Sequence, residues 1–68
     1  MALSARNQLR GKITDIVLGG VMAHITIQVG ENVIESVITR RSADELHLQK
    51  GDSVTAVIKA TEILVAKP

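Results

Sequence analysis

The chain is 68 residues long, has eight basic and seven acidic residues for a net charge of +1, and contains neither cysteine nor any aromatic residue. That length makes one domain, residues 1–68, near the lower limit at which an unstapled chain buries enough surface to fold alone. The composition excludes disulfides and thiolate metal sites, the aromatic stacking used by single-strand nucleic-acid binders, and a broad electrostatic field for nucleic acid or anionic lipid.

Segments rich in Val, Ile and Thr between glycine-containing turns read as β-structure. The first strand covers Gln8 to Leu18, with an imperfect alternation of Leu9, Gly11, Ile13, Asp15 and Val17 against Arg10, Lys12, Thr14 and Ile16. Gly19-Gly20 supplies a two-residue hairpin turn, because glycines accept the positive φ such turns require. The second strand, Val21 to Val29, alternates cleanly: Val21, Ala23, Ile25, Ile27 and Val29 share one face, the period of a half-buried strand. Gly30-Glu31-Asn32 turns the chain into a third strand, Val33 to Thr39, whose apolar residues on both faces predict burial by the core and by a partner. Ser42-Ala43-Asp44-Glu45 reads as a capping box. It predicts a short helix over Ala43 to His47, with Leu46 plugging one end of the sheet. Lys50-Gly51-Asp52 forms a turn, followed by strands at Ser53 to Lys59 and Glu62 to Ala66. The predicted fold is all-β with one short helix: a five-stranded, OB-like Greek-key barrel, which leaves no exposed sheet edge.

So small a domain without cysteine is stabilised by oligomerisation or by a bound ligand, and a 46% apolar content implies that some hydrophobic surface faces another subunit. The apolar stretches are broken every few residues and fall short of the roughly 20 needed to cross a membrane. No basic region followed by an apolar run marks a signal peptide. A cytoplasmic protein with no membrane partner is expected.

The chemistry is concentrated in two segments. Ser4-Ala5-Arg6-Asn7-Gln8-Leu9 and Lys59-Ala60-Thr61 combine hydrogen-bond donors with two positive charges and contain no carboxylate. A tetrahedral dianion presents only acceptors at neutral pH, so its site must present donors. Arg6 can give two parallel hydrogen bonds and Lys59 a point charge, while Ser4, Thr39, Ser42 and Thr61 can each turn a hydroxyl proton toward an oxygen. Ser42 also stands at the predicted helix start, where free amides favour anions. Against this, Arg6 and Lys59 taken singly are ordinary solvated charges, Thr39 and Thr61 ordinary strand residues, and Ser42 a helix cap. Arg40-Arg41 reads as a solvated pair. The two imidazoles, His24 and His47, match no usual metal-ligand spacing, and no nucleophile, base and orienting group form a catalytic arrangement. No enzymatic activity is expected.

Four blocks in order carry a resemblance to the molbindin (Mop) family of molybdate-binding proteins: S-A-R-N-Q-L at Ser4 to Leu9 with G-K-I at Gly11 to Ile13, I-T-R-R-S-A-D-E-L at Ile38 to Leu46, L-Q-K-G-D at Leu48 to Asp52, and A-V-I-K-A-T at Ala56 to Thr61. The resemblance covers essentially the whole chain. It implies a single Mop domain, assembly into a homohexamer as a trimer of dimers, and molybdate or tungstate bound at subunit interfaces for intracellular storage and buffering. Ser4 and Arg6 of one subunit, with Asn7 adjacent, would then meet Thr39, Ser42, Lys59 and the Ala60 backbone amide of another. Some members have serine directly after the lysine. Here Ala60 removes that hydroxyl, and Thr61 stands next to it. Two other readings of the residues are a small β-domain for protein assembly alone and an OB-type nucleic-acid binder, the latter opposed by the missing aromatics and the near-neutral charge.

Overall fold

The computed structural model describes residues 4–68. Four strands, β1 (Asn7–Leu18), β2 (Met22–Val29), β3 (Asn32–Thr39) and β4 (Ser53–Ile58), form one antiparallel sheet in the order β3-β2-β1-β4, and a helix, α1 (Arg40–Glu45), joins β3 to β4. The β-rich fold class and the single helix agree with the sequence. Strand boundaries agree to within one residue for β1 through β4.

The uneven alternation in β1 has a structural cause. Register is Ile13 opposite Ile27, then Asp15 opposite Thr26, so Thr14 is the extra residue of a bulge. The bulge reverses the side-chain parity. Ile13 and Ile16 therefore both face the core, the first fully buried and the second half-buried. With Ala23, Ile25 and Ile27 of β2, Ala43 of α1 and Ala56 of β4, Ile13 makes up the buried core. Gly11 completes this layer by being small: a Cβ there would come within 2.6 Å of the Gln28 carbonyl oxygen and 2.7 Å of Ile27 Cγ2. Ile34 and Ile38 of β3 pack against the core, while Val33 and Val37 on its other face are exposed.

Several expectations are corrected. Gly19-Gly20 is not a two-residue turn with positive φ: the ladder resumes at Leu18 opposite Ala23, and the left-handed glycines are Gly30 (φ 59) and Gly51 (φ 96). Gly19 serves a close approach instead, since a Cβ would lie 2.9 Å from the Met22 carbonyl oxygen. The helix starts three residues earlier than the capping box suggested. Thr39 is its N-cap, its Oγ1 accepting from the Ser42 amide at 3.1 Å, and Glu45 pairs with Arg41 at 3.0 Å rather than reaching back to Ser42. A β-strand running directly into the helix makes the last strand residue the cap.

The helix ends at His47 (φ 52), with Leu48 N donating to Ala43 O and His47 N to Asp44 O, both at 3.1 Å, the paired bonds of a Schellman motif. This turn swings Leu46 outward, so that it stays exposed; Ala43 and the half-buried Leu48 close that end of the sheet in its place. The fifth strand is also absent from the chain's own sheet. Ala60–Glu62 forms a 3-10 turn, residues 63–68 have no regular structure, and Leu64 and Val65 are each 94% exposed. The 3-10 turn interrupts the chain directly after β4, and residues 63–68 pair with no strand of the sheet.

Candidate functional site

Antiparallel pairing of β1 with β4 decides how the two donor-rich segments meet. The ladder ends at Asn7 opposite Ile58, so Arg6 and Lys59 are the next residues on each side and leave the sheet next to one another. Ser4 precedes on one strand, and Ala60 and Thr61 follow on the other. Ser4, Arg6, Lys59, Ala60 and Thr61 are exposed, and Asn7 is half-buried. Neither Arg6 nor Lys59 has a salt-bridge partner among the described residues, whereas Arg40 and Arg41 are both engaged, with Asp44 (3.2 Å) and Glu45 (3.0 Å). Arg40 also donates to the Gly19 carbonyl at 3.1 Å, tying the β1–β2 loop to the helix. Two cations placed side by side without a counter-charge repel one another. An anion between them reverses that cost.

Amides add to the donor set. Ala60 and Thr61 open a 3-10 turn whose backbone bonds begin with Glu62 N to Lys59 O at 3.0 Å, and the first amides of such a turn have no partner within it. The nearest carboxylate in sequence, Glu62, is at the far end of the turn.

Thr39 and Ser42 lie elsewhere. Thr39 pairs with Met22, one step beyond the Ala23–Leu18 pair, so these residues flank the opposite end of β1. That is on the order of 30 Å from Asn7 at about 3.3 Å per strand residue, in a molecule 36 Å long. The chain thus brings together Ser4, Arg6, Asn7, Lys59, Ala60 and Thr61 and keeps Thr39 and Ser42 apart from them. The two hydroxyls also differ in what they can offer. Thr39 Oγ1 donates to Ser42 Oγ at 2.8 Å while accepting from the Ser42 amide, which spends its proton; Ser42 retains its own.

One cluster lies outside the residues that the sequence marks as donors. Arg10 and Lys12 share the outer face of β1, with Thr55 and Ser53 opposite on β4 and Gln28 opposite Lys12 on β2, around a shallow hollow without a carboxylate in its lining. The signal was available in their spacing of two along a strand.

The whole chain is similar to known proteins. Residues 3–65 match the TOBE domain family. Over 66 residues the chain is 39% identical to "Molybdenum-pterin-binding protein 1" of Clostridium pasteurianum, covering 96% of this chain and 97% of that protein. The fold superimposes on a molybdate-binding protein from Sporomusa ovata with a TM-score of 0.94 and 42% identity, over 98% of this chain and all of the other. The chain belongs to the molbindin family of TOBE domains. A longer molbindin relative, the cytoplasmic molybdate-binding protein ModG in a molybdate-bound form, aligns with a TM-score of 0.82 and 41% identity over 88% of this chain and 43% of its own.

Proposed function

We propose that this protein binds molybdate, or tungstate, at interfaces between copies of itself, holding the oxyanion for intracellular storage and buffering without acting on it chemically. The observation that carries the reading is the adjacency of Arg6 and Lys59, exposed and without carboxylate partners among the described residues, where β1 and β4 leave the sheet. Ser4, Asn7, Thr61 and the Ala60 amide surround them with further donors. The molybdate-bound ModG relative supports the choice of ligand.

The distances support an interface location. Ser42, with its free hydroxyl proton, and Thr39 belong to the far end of the sheet, so a site uniting all eight residues takes Ser42 and Thr39 from another copy. Lys59 and the Ala60 amide then join Arg6 from the same chain. A homohexamer arranged as a trimer of dimers, in the cytoplasm, is the assembly this reading adopts. It also adopts a five-stranded OB-like barrel as the complete fold, the fifth strand being formed on assembly. No helix is long and apolar enough to cross a membrane among the described residues.

Calorimetry with molybdate, tungstate, sulfate and phosphate tests the function. Molybdate and tungstate are expected to bind, and sulfate more weakly, because among dianions that only accept hydrogen bonds, size is what a fixed set of donors distinguishes. Absence of heat with all four would overturn the reading.

A further inference from the structure

The outer face of β1 and β4 carries a second set of donors, which differs from the set around Arg6 and Lys59 in one group. Arg10 stands opposite Thr55 and Lys12 opposite Ser53, with Gln28 of β2 on the other side of Lys12. Arg10, Lys12, Ser53 and Thr55 are exposed, and Gln28 is half-buried. Among the described residues neither cation pairs with a carboxylate, and neither hydroxyl makes a side-chain hydrogen bond. The acids nearest in sequence and register lie outside the hollow that these residues line. Asp15 is one row further along β1, Glu31 follows Gly30 in the β2–β3 turn, and Asp52 accepts from the Gln49 amide at 2.9 Å.

The differing group is Gln28. Its Nε2 donates to the Gly30 carbonyl at 2.8 Å, and because a carbonyl only accepts, this bond fixes which end of the amide faces the turn. The amide oxygen is left as a free acceptor on a side chain that lines the hollow. A fully deprotonated oxyanion has no proton to give it. A ligand that has both anionic oxygens and a hydroxyl satisfies the cations and the amide together. Size points the same way: the hollow has a volume of about 700 Å³, within the roughly 300–1,000 Å³ of small-molecule sites and far more than one tetrahedral ion fills. The chain has no aromatic residue, so a nucleobase would have nothing to stack on, whereas a polyol needs only polar partners.

We infer that the Arg10–Lys12 hollow binds a sugar or polyol phosphate. Arg10, Lys12 and the Ser53 and Thr55 hydroxyls hold the phosphate group, and a hydroxyl of the ligand donates to Gln28 Oε1. The second pKa of a phosphate ester is about 6, so at neutral pH the ligand is mostly the dianion that two adjacent cations favour. Arg10 is four residues along β1 from Arg6, about 13 Å at the usual strand rise, which makes this a separate site from the one at the Asn7 end.

Ribose 5-phosphate, methyl phosphate and inorganic phosphate, titrated into the ¹⁵N-labelled protein, test the assignment. Ribose 5-phosphate is expected to shift the backbone amides of Arg10, Lys12, Ser53 and Thr55 and the side-chain amide of Gln28. Shifts at none of these residues, or only at Asn7, Lys59 and Thr61, would overturn the proposal. Methyl phosphate, which lacks the hydroxyl, is expected to bind about 2–10-fold more weakly, the worth of one neutral hydrogen bond, and Gln28→Met is expected to abolish that difference. A preference that survives in Gln28→Met would overturn the role of the amide. Inorganic phosphate binding as tightly as ribose 5-phosphate would make this a site for the free ion and overturn the assignment to an ester. Lys12→Gln is expected to weaken ribose 5-phosphate by about 10-fold or more while calorimetry gives an unchanged affinity for molybdate; undiminished ribose 5-phosphate binding in both Lys12→Gln and Arg10→Gln would remove the cations from the site and overturn the proposal.

Discussion

The two ends of β1 are built from similar residues and solve different problems. At the Leu18 end, Arg40 and Arg41 each have an acid four residues on, Thr39 caps the helix, and Arg40 holds the neighbouring loop. Both arginines there have internal acceptors, and of the two hydroxyls only that of Ser42 keeps its proton free. At the Asn7 end, Arg6 and Lys59 stand together without a salt-bridge partner among the described residues, and an exposed apolar tail follows. The first end is finished by the chain itself. The second is finished by what the chain binds.

That contrast can be broken or sharpened by substitution. The largest effect is expected between the two ends, at Gly11→Val. Its side chain would enter space held by the Gln28 carbonyl and the Ile27 and Val29 methyls, and because backbone cannot yield as a side-chain tip can, a loss of about 3 kcal/mol or more is expected in urea denaturation. Native stability in this variant would mean that β1 and β2 are less closely joined than the structure has them. Next comes Arg6→Ala. Removing a charged donor from the site is expected to weaken molybdate binding by about 10–100-fold, from roughly 1.5–3 kcal/mol per charged hydrogen bond, with little change in the melting curve. If calorimetry gave the unsubstituted protein's affinity for both this variant and Lys59→Ala, the Asn7 end would not be the oxyanion site.

Smaller effects are expected at the finished end. Thr39→Ala removes the cap and should cost about 1 kcal/mol of stability; a change smaller than about 0.3 kcal/mol in thermal unfolding would show that the strand-to-helix passage holds without it. Arg41→Ala breaks only an exposed i,i+4 pair, so a loss of about 0.3–0.5 kcal/mol is expected, with oxyanion affinity unchanged. A large loss of affinity there would place Arg41 in the site and undo the distinction between the two ends.

How much of this was legible in the sequence depends on the range of the interaction concerned. The strands were readable because a two-residue period and β-branched side chains are local properties, and β2 alternates cleanly enough to locate its core face. Thr14 shows the limit: an extra residue in a bulge looks like broken alternation until its partner strand is in place. Ser42 shows another, since Ser-x-x-Glu makes a capping box only if the helix starts there, and the approach of β3 moved the cap to Thr39. Leu46 could be assigned to the core by type, but the left-handed His47 turn turned it outward.

The sequence by itself determined the β-rich class, the family, the two carboxylate-free donor segments and the surplus of apolar surface, because each follows from residue types and near neighbours. Only the tertiary structure decided that Arg6 lies beside Lys59 while Thr39 and Ser42 lie at the far end of the sheet, and that Glu62–Ala66 has no edge of its own. Those are consequences of antiparallel register and strand order, which depend on residues some fifty positions apart finding one another.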